Sequence, residues 1–366
     1  MINKHIVIFV PLIGGGGVEK NLFLISNYFI KKFKKVSVIT TSNKYKKKFN
    51  KKINFITTDN FITNSIVNRK LKILISLFLL FKLYLKKNDF SVLSFMGNLY
   101  CCLLCKLLNI KVVIRSNASI TGWSKGYIKK VLYKFISNMA DKIIVNSIEF
   151  QKQYLKTFNI HTVNIYNPLN TKEIIRKSRQ KINYNFFDRK SLNFINIGRL
   201  VDQKDQITLL KAFNLIKKKT KIKFKLLIMG SGTNEDLLKK YIVENNLIKI
   251  VSILNFKQNP YNYLKKSDVF ILTSIYEGLP NVLLESLVLK KFIISSDCPT
   301  GPKEILDNGK GGFLFKMQNE YDLYKKIKFY FENKKKMKKI INHGHKRLKR
   351  FDFESNMKRY VKEMSD

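Results

Sequence analysis

Glu277 and Glu285 stand eight positions apart in YEGLPNVLLES (276–286), in a chain with 25 acids against 70 lysines and arginines. The apolar run SDVFILTS ahead of them predicts a strand, and NVLLESLVL after them predicts a helix. Glu277 is therefore expected at the carboxyl end of a parallel strand, where open α/β sheets bind ligands. Pro280 suits a first helical turn, and the free amides around Gly278, Leu279, Asn281 and Val282 would attract an anion or a hydroxyl oxygen. Glu285 falls about one turn inside that helix, so the two carboxylates could grip two parts of one ligand. The competing reading is a dipole partner at a helix start plus a solvated helix face.

A second group lies in FINIGRLVDQKDQ (194–206), where a strand ends at Gly198 and a turn carries Arg199 and Lys204. Two cations beside free amides form a plausible diphosphate clamp, with Arg suited to bidentate phosphate binding. Position after a strand singles them out among so many cations. GGGGVEK (14–20) is a glycine-rich strand-to-helix loop without the GxGxxG spacing of a dinucleotide fingerprint. Its glycines would let backbone approach a phosphate or sugar, or simply make a tight turn. MGSG (229–232) reads as a structural turn. The chain has no GxxxxGK[ST] loop, DxD pair, GxSxG elbow or Cys/His cluster. No metal is expected.

These residues need two parallel α/β systems to hold them. HIVIFV (5–10), KVSVITT (35–41), SVLSFM (91–96), KVVIRS (111–116) and DKIIVNS (141–147) read as buried strands. Helical stretches at 66–87 and 125–139 lie between them. The series resumes with LNFINIG, KFKLLIMGSG, IVSIL, DVFILTS and KFIISSD, separated by helices at 205–218, 234–246, 260–266 and 281–289. The expected fold class is α/β, with two Rossmann-like, doubly wound domains facing a cleft. The boundaries read as 1–170, a polar connection at 171–190 without strong periodicity, 191–345, and a C-terminal helix over 346–366 that packs back.

A chain of 366 residues, 45% hydrophobic and 13% aromatic, can bury two cores. Its formal charge of +45 fits a phosphate-rich partner, or a compositional bias towards Lys, Asn, Ile, Phe and Tyr. Cys101, Cys102 and Cys105 in LYCCLLCKLL read as small hydrophobes of a buried helix, and a reduced cytoplasm is the expected compartment. The N-terminal apolar run ends in glycines, unlike a signal peptide. The longest apolar block, ILISLFLLF (73–81), is far short of the roughly 20 residues a spanning helix needs.

Taken together, GGVE (16–19), SNASI with its preceding Arg115, DKIIVNS, IGRLVDQKD, LLIMGSG and SDVFILTSIYEGLPNVLLES resemble the retaining glycosyltransferases of the GT-B fold, the large bacterial group numbered family four. The likeness runs over nearly the whole chain. SSDCPTGPKEIL (295–306) is similar to a subgroup that builds lipid-linked oligosaccharides, O-antigen and capsule. The resemblance implies that Glu277 contacts the donor sugar's hydroxyls and Glu285 holds the ribose. Arg199 and Lys204 would neutralise the donor diphosphate, facing Gly16 and Gly17 across the cleft. Residues 278–282 would line the sugar and phosphate, and Asn255, Phe256 and Lys257 would touch the base. Relatives often carry a His near the reacting sugar. The matching stretch here is IRSNAS, which makes Arg115 and Asn117, with Glu19, the acceptor-side candidates.

The implied activity is metal-free, retaining transfer of a hexose or N-acetylhexosamine. The donor would be a nucleotide sugar, expected to be UDP-linked, and the acceptor a polyprenyl-diphosphate-linked saccharide. No cofactor is implied. NRKLKILISLFLLFKLYLKK (68–87) and SKGYIKKVLYKFI (124–136) mix apolar and Lys-rich positions, which for each alone fits a core helix with a solvated basic face as well as a helix lying on an anionic bilayer. A lipid acceptor would require peripheral membrane attachment on the cytoplasmic side. The alternatives are a non-hydrolysing sugar-nucleotide epimerase of the same fold, for which the chain lacks a suitable His, and a basic nucleic-acid- or membrane-binding protein without catalysis. A nucleic-acid binder would need aromatics interleaved with Arg on one face, and no such stripe is present.

Overall fold

The computed structural model describes residues 1–14, 16–58, 68–87, 89–117, 120, 126–182 and 184–366, with only the backbone of Tyr127 and Lys129. Gly15 of the glycine loop, Ala118 and Ser119 of SNASI, positions 66–67 and 124–125 of the predicted helical stretches, and Asn183 lie outside the described residues. The chain divides into two units: Met1–Pro168 with Phe353–Asp366, and Leu169–Asp352.

The first unit runs β1 (Ile2–Phe9), α1 (Gly17–Phe29), β2 (Phe33–Ile39), β3 (Asn54–Ile56), α2 (Arg69–Lys86), β4 (Ser91–Ser94), α3 (Asn98–Leu107), β5 (Val112–Arg115), α4 (Tyr127–Asn138), β6 (Lys142–Val145), α5 (Ile148–Phe158) and β7 (Val163–Asn164). Its sheet has the order β3-β2-β1-β4-β5-β6-β7, with every pair parallel. Side chains alternate across a strand. Ile6 and Ile8 therefore join the core beneath α1, while Val7 and Phe9 join the core beneath α2 to α5. Burial on both faces explains why the second half of β1, Ile6 to Phe9, reads as an unbroken apolar run. Cys101, Cys102 and Cys105 are fully buried on the inner side of α3, as small hydrophobes. Burial holds the Cys102 thiol up near a pKa of about 12.

The second unit runs α6 (Thr171–Ser178), β8 (Leu192–Ile197), α7 (Gln206–Lys219), β9 (Phe224–Met229), α8 (Glu235–Glu244), β10 (Val251–Leu254), α9 (Tyr261–Lys266), β11 (Val269–Leu272), α10 (Asn281–Val288), β12 (Phe292–Ser296), α11 (Pro302–Ile305), β13 (Phe313–Phe315), α12 (Glu320–Glu332) and α13 (Met337–Lys346). Its strands are again all parallel, in the order β10-β9-β8-β11-β12-β13. The order reverses direction between β8 and β11. At such a switch point the loops leaving two neighbouring strands diverge and leave a crevice at their carboxyl ends.

Three boundaries differ from the sequence reading. Residues 171–178, read as part of an aperiodic connection, are a helix that buries Ile174 and Ser178. Asn170 caps it by accepting from the Glu173 amide at 3.1 Å, and Glu173 pairs with Lys177 at 2.5 Å. The Asn-x-x-Glu start signal was present in the sequence. The short strands β3 and β13, three residues each, carried too little pattern to be read. The final segment is not one helix. A 3-10 stretch, Arg347–Phe351, precedes α14 (Phe353–Ser365), and the two belong to different units. Met357, Tyr360 and Met364 of α14 complete the core beneath α1.

Candidate functional site

The loops leaving β8 and β11 are built around each other. Past β8, the Gly198 amide donates to Met229 O at 3.0 Å and the Leu200 amide to Ser231 O at 3.0 Å. A Cβ on Gly230 would fall 1.8 Å from Gly198 O, so the MGSG turn needs glycine for close backbone approach. The chain then winds one 3-10 turn, Asp202–Lys204, and breaks at Asp205, whose φ of +47° starts α7. The turn is tied to the β11 loop at three points. Gln203 Nε2 donates to Tyr276 O at 2.8 Å, the Ile275 amide to Gln203 O at 2.8 Å, and Thr273 Oγ1 to Lys204 O at 2.7 Å.

Lys204 and Glu277 meet in this frame as an ion pair, their side chains 15% and 9% exposed. Ser274 Oγ donates to the same carboxylate oxygen, Oε1, at 2.6 Å. The backbone of Glu277 is held from behind by the loop after β12. Thr300 Oγ1 donates to Glu277 O at 2.5 Å, and the Glu277 amide donates to Pro299 O at 3.4 Å. Gly301 follows at φ +86°, where a Cβ would lie 2.4 Å from Gly278 O and 2.7 Å from the Pro280 ring. The PTGP segment is thus the brace of EGLP. Cys298 sits nearby, 3% exposed. Burial, aided by the Glu277 charge, pushes its thiol up to about 12, so it is a packed thiol rather than a nucleophile.

α10 begins at Asn281 with Pro280 in the cap position and no side chain capping it. The sequence reading placed Pro280 one step later, in the first turn. Glu285 is 6% exposed inside this helix. Tyr261 Oη, on α9, lies 3.5 Å from Glu285 Oε1, and its phenol is raised first by burial and then by the Glu285 charge. Gly278 and Leu279 are buried, whereas Asn281 and Val282 are half-buried. Arg199 is exposed, its Nη2 donating to Gln203 Oε1 at 3.0 Å. Asn255, Phe256 and Lys257 follow β10 on the same carboxyl edge of the sheet and are exposed, with the Phe256 amide donating to Ser231 Oγ at 3.3 Å. Two buried carboxylates, a paired ammonium, an exposed guanidinium and a helix start without a side-chain cap can bind hydroxyls and an anion together.

Sequence reasoning missed Ser274, Thr300, Gln203 and Tyr261. Ser274 and Thr300 lie inside the quoted motifs, but nothing in residue type marks a brace until the loops are brought together.

In the first unit, Gly16 and Gly17 are exposed at the start of α1. Glu19 turns back beneath them. It is 8% exposed and its Oε1 accepts from the Gly14 amide at 3.0 Å. A Cβ on Gly14 or Gly16 would come within 3.1 Å of that carboxylate. Arg115 is buried inside the first unit. It is 1% exposed, with Nε donating to Tyr360 Oη at 2.8 Å, Nη2 to Asn167 Oδ1 at 2.6 Å, and its guanidinium over the Phe95 ring. These contacts give the side chain a structural role in holding α14 against the sheet, and its Nη1 is buried without a hydrogen-bond partner. Asn117 is half-buried and its Nδ2 donates to Phe95 O at 2.8 Å, joining the ends of β4 and β5.

Among the described residues, no three or more His, Cys, Asp or Glu side chains are grouped to hold a metal ion. No described helix is long and apolar enough to cross a membrane.

Comparison with known proteins gives the same direction. Residues 177–347 match the family described as Glycosyl transferases group 1. The chain is 30% identical over 261 residues to the amylovoran biosynthesis glycosyltransferase AmsD of Erwinia amylovora, covering 68% of this chain and 71% of that protein. It is 29% identical over 228 residues to the Campylobacter jejuni N-acetylgalactosamine-N,N'-diacetylbacillosaminyl-diphospho-undecaprenol 4-alpha-N-acetylgalactosaminyltransferase, covering 62% of this chain and 60% of that one. The chain spans 48% of the length of two other curated relatives it matches and 62% of two more. The crystal structure of Anabaena Alr3699/HepE in complex with UDP superposes with a TM-score of 0.78 over 99% of both chains, at 17% identity. That likeness concerns the fold, which is GT-B.

Proposed function

The chain belongs to the group 1 glycosyl transferases, and we propose that it is a metal-independent, retaining member that moves a hexose or N-acetylhexosamine from a UDP-sugar to a lipid-linked saccharide. Membership favours transfer over epimerisation or a purely binding role. The observation that carries the finer reading is the braced Lys204–Glu277 pair at the switch point of the second sheet, in the loop that leads into α10. The UDP complex of the Anabaena protein supports the choice of nucleotide, and the diphospho-undecaprenol substrate named for the Campylobacter relative supports the acceptor class.

In this reading Glu277 accepts hydrogen bonds from donor-sugar hydroxyls and Glu285 from the ribose. Gly16, Gly17 and residues 278–282 line the sugar and phosphates, and Asn255 to Lys257 contact the base. As the bond from the anomeric carbon to the diphosphate oxygen breaks, negative charge grows on the leaving group. Lys204, Arg199 and the amides at the start of α10 are fixed where that charge develops, which is the most effective place for stabilisation. Preorganised cations of this kind can serve without a divalent ion. The acceptor hydroxyl would attack from the same face, its oxygen bonding to the anomeric carbon while its proton passes to the leaving phosphate. Glu277 has Lys204 and Ser274 as partners, so it is held as a binding carboxylate rather than poised as a nucleophile. An acceptor anchored in lipid would bring the protein to an anionic membrane surface, on the side where nucleotide sugars are made.

Thermal unfolding with a panel of nucleotides, with and without a chelator, tests the reading. UDP should stabilise the second unit equally in both. Stabilisation by another nucleotide, or loss of the UDP effect with chelator, would overturn the donor or the metal-free assignment.

A further inference from the structure

α2, α3 and α4 lie side by side on one face of the first sheet. Leu80, Cys102, Cys105 and Tyr133 from the three helices share one core, and Cys102 Sγ lies 3.3 Å from Ile136 O. A surface helix normally presents polar residues opposite its core. α2 does not. Opposite Ile73, Ser76 and Leu80 it exposes Leu71, Leu74, Phe78 and Leu85, each 43 to 69% accessible, at a spacing that repeats with the helix turn. α3 continues the pattern with Leu103 and Leu107, at 42% and 76%, and α4 with Ile128 and Phe135, at 82% and 62%. Scattered exposed apolar residues are ordinary, but a run across three adjacent helices marks an interaction surface.

Charge selects what covers it. The three helices contain no Asp or Glu, while Arg69, Lys70, Lys82 and Lys86 on α2 and Lys130 and Lys134 on α4 are exposed. Lys106 on α3 is paired with Asp141 at 3.1 Å. A second copy of this chain would set these cations against one another. Nucleic acid would satisfy the cations and leave Phe78 and Leu107 in water. An anionic bilayer takes both, with apolar side chains at the acyl boundary and cations among the phosphates. We propose that the outer faces of α2, α3 and α4 form a single bilayer-seating surface whose partner is an anionic phospholipid membrane. The proposal rests on the lipid-linked reading above for its purpose, and on the residues of this face for its argument.

Flotation of the full chain with phosphatidylcholine vesicles, with and without about one-third phosphatidylglycerol, is the test. The wild type should float with the anionic vesicles. The double variants L74S/F78S and K82E/K86E alter exposed positions, so the fold should persist. Each should lower the bound fraction about tenfold, and L74S/F78S should keep its stabilisation by UDP. Flotation of L74S/F78S equal to wild type would reduce the effect to general attraction of a +45 chain and overturn the proposal. So would a wild type that stays unbound, or a wild-type dimer that L74S/F78S converts to monomer. Flotation without nucleotide stabilisation would leave this surface standing and remove the donor reading. Stabilisation without flotation would do the reverse.

Discussion

Lys204 and Glu277, 73 residues apart in sequence, form a largely buried ion pair whose carboxylate also accepts from Ser274 Oγ. The pair is possible because β8 and β11 are neighbours in the sheet, and because Gln203 and Thr273 bond their outgoing loops together. Its consequence is that the acid and the cation expected to work on a donor are already oriented before one arrives.

Replacing Glu277 with Gln keeps the shape and one acceptor oxygen while removing the charge that holds Lys204. Transfer should fall at least about a hundredfold with thermal stability little changed, because the loss is of a preorganised charged contact. Ser274→Ala removes one hydrogen bond to an ionised group and should cost about 2 kcal/mol of transition-state stabilisation or less. Steady-state kinetics of both variants decides. Full activity in Glu277→Gln would remove this carboxylate from the site.

Gly301 stands at φ +86° with Gly278 O where its Cβ would be. Gly301→Ala must therefore shift either PTGP or EGLP. Activity should be lost more completely than stability, which should drop by about 2–3 kcal/mol from strain and overpacking. Denaturant titration beside an activity assay separates the two.

α10 ends in a Schellman arrangement, with the Lys291 amide donating to Ser286 O at 2.9 Å and the Lys290 amide to Leu287 O at 3.0 Å. The left-handed residue between them is Lys290, at φ +53°, where glycine is favoured. Lys290→Gly should stabilise the protein by about 0.5–1 kcal/mol, relief of the left-handed strain outweighing the added chain entropy, and leave kinetics unchanged. A lower unfolding midpoint would contradict the account.

Arg115 sets a structural role against the acceptor reading. Arg115→Ala removes the hydrogen bonds to Tyr360 Oη and Asn167 Oδ1 in the core, and should cost about 2–4 kcal/mol while loosening α14. Faster hydrogen exchange over 353–365, with an unchanged acceptor KM at low temperature, is the expected result. A raised acceptor KM with α14 still protected would restore the acceptor reading.

His5 supplies a pH dependence. Burial first, then Lys35 and Lys87, lower its pKa from 6.5 to about 4, with Asp89 acting in the opposite sense. Its neutral ring bonds Ser37 Oγ at 2.8 Å. The unfolded chain takes up the proton first, so the stability present above pH 6.5 is lost progressively as pH falls towards 4. Allowing for solvent screening, the loss should be about 1–2 kcal/mol. His5→Gln should flatten that part of the urea-midpoint profile, and an unchanged slope would exclude His5 as its source.

The sequence by itself determined the architecture and where the candidate site residues fall on its strands and helices. Parallel strands buried on both faces leave unbroken apolar runs such as IVIFV and VFIL, and helix starts leave Gly, Pro or Asn beside them. That periodicity is local, so it survives in one dimension. It placed Glu277 and Arg199 after strands and Glu285 inside a helix. The three-residue strands β3 and β13 are too short for any period, and the helix at 171–178 was lost in its polar surroundings.

Only the tertiary structure decided which partners these residues have. Lys204 was legible as a cation, but its pairing with Glu277 depends on strand order, which periodicity does not carry. Ser274 and Thr300 became braces through loop packing. Arg115 was an acceptor-side candidate because IRSNAS matches the stretch where relatives carry a His, yet α14 returns from the far end of the chain to bury it. Phe78 and Leu107 were equally ambiguous, since apolar residues in a sequence do not say which face of a helix the core will take. Contacts between distant segments settle such questions, and they exist only once the chain has folded.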